Sequence, residues 1–167
     1  TQATVISSGG IVTSKAIKLA GDKLDGAIIN SLRSKRGLFI GDVSAEMIKV
    51  KIGAAMPGMN RGTVEVSGRN EQLKCAQSIH VSTADIYNAI HTALEAICRT
   101  IMNVLEITPP EIASDISDYG IMLVGGGANI AGISELIQKK TGLRVTIAKN
   151  PMDCECNGIG KLIEKPN

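Results

Sequence analysis

The residues best suited to chemistry fall in two short stretches. Val124-Gly125-Gly126-Gly127-Ala128-Asn129 follows an apolar run at residues 121–124 and precedes a helical pattern. Glycines let a ligand approach the backbone because no Cβ stands in the way. A crevice at the carboxyl end of a strand is where open α/β sheets bind ligands. Without a ligand, the same residues make a tight strand-to-helix turn, and the local pattern leaves both readings open. The second stretch is Glu46-Met47-Ile48-Lys49, which puts a carboxylate and an ammonium at i and i+3 on one helix face. That pair is either a surface ion pair, worth little in stability, or a polar clamp on a ribose or base.

Better-known signatures are missing. After Gly125 and Gly127, Ile130 fills the third glycine position of a Rossmann fingerprint, and no G-K-[ST] follows to make a P-loop. Gly158-Ile159-Gly160-Lys161 lacks the leading glycine and the Ser/Thr for magnesium, and reads as helix packing. His80 and His91 have no partner at ligand spacing and read as structural or surface residues. Cys75, Cys98, Cys154 and Cys156 form no C-x-x-C pair and read as reduced thiols. There is no G-x-S-x-G or H-E-x-x-H, so neither a catalytic nucleophile nor a metal site is expected.

The elements that position these stretches follow from periodicity. Residues 4–7 and 11–17 are β-like and flank Ser8-Gly9-Gly10, a hairpin turn. Asp22 offers an N-cap to a helix whose face is Leu24, Ile28 and Leu32, stopped by Gly37. A second helix is expected over residues 44–52, capped by Ser44 and ended by Gly53. Residues 63–66 and 78–81 alternate, as in an antiparallel pair. Ser82-Thr83-Ala84-Asp85 resembles a capping box opening the longest helix, on which Ile86, Ile90, Leu94, Ile97, Ile101 and Leu105 share a face. Pro109 and Pro110 stop it and suit a new helix start. Residues 121–124 read as a strand buried on both faces. A helix over 131–141, a strand over 143–147, a turn at Asn150-Pro151 and a last helix to the chain end complete an α/β layering.

Composition bounds the rest. The 167 residues suffice for one compact domain or two small ones, with 44% hydrophobic and 20% charged residues. Aromatics are only 2%, so the core must be aliphatic, and a binder that stacks single-stranded bases on aromatic side chains is not expected, nor is a nucleic-acid partner. Net charge is +2, and the nearest basic cluster, Arg33, Lys35 and Arg36, reads as a solvated helix end. No secretory segment or run of 18 apolar residues is present. The chain begins inside a strand-like run without Met, which leads us to expect an upstream segment.

Several motifs occur in an order that resembles the MreB/Mbl family of bacterial actin homologues. Residues 1–12 look like the strand pair after that family's second phosphate loop. Ala20-Gly21-Asp22-Lys23-Leu24-Asp25 is similar to its G-G-D-x-x-D segment, and Ser44-Ala45-Glu46-Met47-Ile48-Lys49 with Ile52-Gly53 to its T-A-E-x-I-K-x-x-I-G helix. Val66-Ser67-Gly68-Arg69-Asn70 resembles its V-x-G-R-D turn. Pro109-Pro110-Glu111-Ile112-Ala113-Ser114-Asp115-Ile116 and Leu123-Val124-Gly125-Gly126-Gly127-Ala128 match its P-P-E-L-A-x-D-I and L-x-G-G-G-A stretches. The sequence departs from the pattern at Gly26, where an acidic residue is usual, at residues 72–77 and at Cys154-Glu155-Cys156-Asn157.

The resemblance implies the second lobe of an actin/hexokinase/heat-shock-chaperone ATPase-like fold. A IIA-like core over residues 1–21 and 105–167 would carry a mixed sheet with helices, and residues 22–104 would form a IIB-like α+β insertion. It implies ATP or ADP with Mg2+ between two lobes, the metal held mainly by the missing upstream half. Glu46 and Lys49, with Met47 and Ile48 between them, would meet the adenosine. Gly126, Gly127, Ala128 and Asn129 would line the adenine side, with Ile130 packing nearby, and Gly21 would lie close to ribose and phosphates. The intact protein would be an ATPase forming head-to-tail filaments that determine rod cell shape, while this chain alone would not hydrolyse ATP. Partners would be further copies, the cell-wall elongation machinery and, through the missing half, the membrane; the location would be cytoplasmic. The alternatives are a sugar kinase or chaperone ATPase of the same superfamily, and an interaction module in which the glycine stretch is only a turn.

Overall fold

A computed structural model describes residues 1–164 of the chain. Strands β1 (Gln2–Ser7) and β2 (Gly10–Ala16) form the expected antiparallel hairpin. Ser8 and Gly9 take φ of 52° and 77°, the backbone a two-residue loop needs to match strand twist.

Helix α1 (Gly21–Arg36) buries Leu24, Ile28 and Leu32, as their spacing predicts. Its N-cap is Ala20 rather than Asp22. Asp22 instead stands in the first turn, where a carboxylate faces the positive end of the helix dipole. Gly37, at φ 63°, closes the helix by donating to the carbonyls of Leu32 and Arg33. The basic cluster here is partly paired rather than simply solvated. Arg33 meets Glu71 at 2.8 Å and Arg36 meets Asp85 at 3.4 Å.

Strand β3 (Leu38–Phe39) leads into α2 (Asp42–Ile52), whose N-cap is Gly41, so Ser44 lies inside the helix rather than capping it. Strands β4 (Thr63–Asn70) and β5 (Ala76–Ser82) extend beyond the alternating runs that predict them. The side-chain oxygen of Asn70 accepts the amides of Gln72 and Leu73, which closes the connection between them. With β3 on the other edge of β4, they form an antiparallel three-stranded sheet.

Helix α3 (Thr83–Glu106) opens on the expected capping box, with Ser82 and Asp85 exchanging hydrogen bonds. Helix α4 (Pro110–Tyr119) starts at the second proline. Strand β6 (Ile121–Leu123) pairs in parallel with β7 (Val145–Ile147), and helix α5 (Ile133–Thr141) connects them. The expectation that residues 121–124 are buried on both faces fails: Met122 is 68% and Val124 48% exposed. Among the described residues only β7 pairs with β6, and the core covers one face, that of Ile121, Leu123 and Val145. Helix α5 begins two residues later than predicted, after Gly132 at φ 79°. Helix α6 is described over Cys154–Glu164, so its predicted continuation to the chain end lies outside the described residues.

One aliphatic core joins these pieces. Ile28 of α1, Leu38, Ile48 of α2, Ile90 and Leu94 of α3 and Ile137 of α5 are all essentially removed from solvent. Burying such a side chain contributes about 1.5–3 kcal/mol each, which fixes α1, α2 and α5 on α3 and so sets where the glycine turn and α2 stand.

Candidate functional site

The end of α2 and the end of the glycine turn are fastened together. After Ile52, the Gly53 N–H closes on the Lys49 carbonyl at 2.8 Å, and a Cβ at Gly53 would lie 2.2 Å from that oxygen. Only glycine fits there. Arg61 donates from Nη1 to the carbonyls of Gly53, at 2.8 Å, and Val50, at 3.4 Å, groups a helix end leaves without internal partners. Ala54 then bridges Ala131 in parallel, and the Ala55 N–H donates to the Ala131 carbonyl at 2.8 Å. This bridge joins the segments that directly follow α2 and the glycine turn.

Within the turn, Gly125 has φ 84° and its N–H donates to the Pro151 carbonyl at 2.7 Å. Gly126–Asn129 forms a single 3-10 turn. At Gly125, Gly126 and Gly127, no atom of the described residues beyond the chain neighbours lies within 4 Å of the position a Cβ would take. That face is open. Gly126, Gly127 and Asn129 are exposed, Ala128 is buried, and Ile130 packs against the core. Amides opening a helical turn have no acceptor within it, and successive free N–H groups make a concavity suited to negative or polar ligand atoms.

On α2 the four candidate residues divide. Glu46 is exposed and Met47 is 37% exposed, while Ile48 is fully buried in the core. Lys49 turns inward. Its Nζ lies 2.8 Å from Asp25 Oδ2 and 3.4 Å from the Gly21 carbonyl. The two side chains of the pair are only 11% and 10% exposed. The i, i+3 pair between Glu46 and Lys49 is thus replaced by one between helices. Lys49 leaves water for a protein interior, where an opposite charge attracts it far more strongly, and Asp25 supplies that charge. Glu46 keeps its carboxylate in solvent.

Sequence reasoning missed Asp25 as the partner. A signal existed: Asp25 precedes Ile28 by three and Leu32 by seven, so it falls on the buried face of α1, where a lone carboxylate demands a cation. Arg61 sits in a loop, and nothing in its sequence context marks it as the cap of α2. None of the candidate residues lines the groove of about 470 Å³ between residues 56–63 and the start of α3. Gly158 and Gly160 fall inside α6, and His91 stacks on Tyr87 with ring centroids 5.5 Å apart.

This arrangement of an antiparallel hairpin, an antiparallel three-stranded sheet, a parallel β6–β7 pair, α-helices and an open glycine turn is an actin-like fold. Residues 1–167 match the family model described as MreB/Mbl protein, and the chain belongs to that family. It is 39% identical over 164 residues to the cell shape-determining protein MreB of Escherichia coli strain K12, covering 98% of this chain and 47% of that protein. The crystal structure of MreB5 of Spiroplasma citri bound to ADP superposes with a TM-score of 0.91 at 33% identity, covering 96% of this chain and 49% of that one. The same protein bound to AMPPNP gives 0.92 at 33% identity, covering 98% and 49%. The chain spans about half the length of the relatives it matches.

Proposed function

We propose that this chain is one lobe of an adenine-nucleotide clamp in a filament-forming protein that determines cell shape. The observation that carries the reading is the bridge between Ala54 and Ala131, which sets the end of α2 beside the open glycine turn. Two further observations support it. The turn offers backbone without Cβ obstruction at Gly126 and Gly127. A relative of closely similar fold, MreB5, is seen with ADP and with AMPPNP.

The residues present suit such a ligand. Gly126, Gly127, Ala128 and Asn129 would border the adenine, with Ile130 behind them. Glu46, exposed on α2, can accept hydrogen bonds from ribose hydroxyls. An ammonium carries three donors; Asp25 and Gly21 take two from Lys49, which leaves one for the nucleoside. The nucleotide, when bound, supplies the phosphoanhydride whose cleavage drives assembly changes. This chain's own part is to hold the nucleoside end. For the accompanying Mg2+, no group of three His, Cys, Asp or Glu side chains gathers among the described residues. Its protein contacts would come mainly from the other half of the intact protein.

The reading extends to architecture and assembly. Residues 1–21 and 105–167 would form the IIA-like core and residues 22–104 the IIB-like insertion. Copies would join head to tail through two different surfaces, a heterologous contact that propagates into filaments. The cell-wall elongation machinery and the cytoplasmic face of the membrane would be engaged by the whole protein. The test is titration of the intact protein with ATP and Mg2+ while light scattering is followed. Scattering that rises with ATP supports the proposal; no binding of ATP and no growth overturns it.

A further inference from the structure

We infer that Asp25 is a positioning residue of the nucleoside site, acting through Lys49 to direct its ammonium at a ribose hydroxyl. The inference rests on the reading above, in which Lys49 contacts the nucleotide.

A lysine ammonium is a compact, strongly hydrated charge on a flexible four-carbon stem. Left alone on α2, Lys49 would extend into water as Glu46 does. Instead Asp25 Oδ2 holds Nζ at 2.8 Å and the Gly21 carbonyl faces it at 3.4 Å, with both side chains about nine-tenths buried. Gly21 contributes by what it lacks, since a Cβ there would come within 3.3 Å of the ammonium. The remaining donor of Lys49 is the only one free for a ligand.

Stability is a poor reason for this pair. Replacing a buried ion pair by apolar residues is often neutral or stabilising. Here the second carboxylate oxygen, Asp25 Oδ1, is buried with no hydrogen-bond partner. An orphaned buried lone pair carries a desolvation cost that a merely structural contact has no need to bear. The arrangement makes sense if the geometry of Lys49 is what matters. Its charge sense matters too. Asp25 neutralises Lys49, so the pair presents a fixed donor without net positive charge. That suits a neutral hydroxyl rather than a phosphate.

The experiment measures binding of ATP and of 2′-deoxy-ATP to the intact protein and to its Asp25→Asn, Lys49→Met and double variants. Asp25→Asn is expected to weaken ATP binding about tenfold, the size of one charge-assisted hydrogen bond. The preference for ATP over 2′-deoxy-ATP should shrink towards one. Adding Asp25→Asn to Lys49→Met should cost nothing more. Equal losses for both nucleotides, or losses that add in the double variant, overturn the inference and leave the nucleotide reading standing. Failure of the wild-type protein to bind ATP overturns that reading and this inference with it. If Asp25→Asn does not fold, the Lys49 ammonium is followed in the wild-type protein by nitrogen-15 resonance. It should resist solvent exchange and shift on addition of ATP but not of tripolyphosphate. Fast exchange, no shift, or an equal shift with tripolyphosphate overturns the inference.

Discussion

The backbone of Ala55 donates to the carbonyl of Ala131 at 2.8 Å, across a gap of 76 residues in sequence. This contact joins the segment after α2 to the segment after the glycine turn, far apart in the chain. It depends on how α2 ends. Gly53 is pressed against Lys49, with a Cβ position 2.2 Å from the Lys49 oxygen. Gly53→Ala therefore forces the backbone apart. We expect a loss of about 1–3 kcal/mol in denaturant unfolding, typical of overpacking, with weaker nucleotide binding because Lys49 and Ala54 shift together.

Gly127 should respond in the opposite way. Its Cβ position has no neighbour within 4 Å, and its φ is not positive. Gly127→Val should leave stability within about 1 kcal/mol of wild type, as surface changes do. The new side chain would nevertheless stand on the open face of the turn. Calorimetric titration should show ATP affinity falling at least tenfold while the unfolding midpoint barely moves. Unchanged affinity would remove the turn from the site.

Asp85 links stability to pH. Burial pushes its carboxyl upward, but hydrogen bonds from the Ser82 amide and hydroxyl and the nearby Arg36 outweigh this and hold it below the usual carboxylate range. A group depressed in the folded state stabilises above its unfolded pKa and loses that contribution as pH falls through the folded value. Asp85→Asn should cost about 1 kcal/mol at pH 7, the scale of a helix cap. The gap between wild type and variant should close as pH drops below about 4. Paired urea titrations across pH 3–7 measure it.

The thiols should sort by burial. Cys98 is 1% exposed, and burial, aided by the Glu95 carboxylate, pushes its thiol up. Cys75 and Cys156 are exposed. Only a thiolate reacts readily. Under native conditions a maleimide should label Cys75 and Cys156 quickly and reach Cys98 only on unfolding, as peptide mass spectrometry would show.

Much of the layout is legible in the residues themselves. The period of Leu24, Ile28 and Leu32, the capping box at Ser82 and Asp85, and the Ser8-Gly9 turn are local signals, and local physics honours them. Strand β3 escaped notice because two residues carry no periodicity. The burial of β6 was misjudged because an apolar run tells nothing of how many neighbours cover it; Met122 faces solvent here. The candidate site was legible only in part. Spacing alone puts Glu46 and Lys49 on one face, but it cannot reveal that a carboxylate on another helix competes for the ammonium. Asp25 wins that competition because it lies on the buried face of α1, where its carboxylate needs a cation, and α1 packs on α2.

The most direct measurement labels the intact protein with nitrogen-15 at glycine and lysine and follows the spectrum during ATP addition. Gly126, Gly127, Gly21 and Lys49 amides should shift together along one binding curve. If the glycine-turn signals and the Lys49 signal move with different midpoints, or one set stays still at saturation, the two stretches do not share a nucleotide.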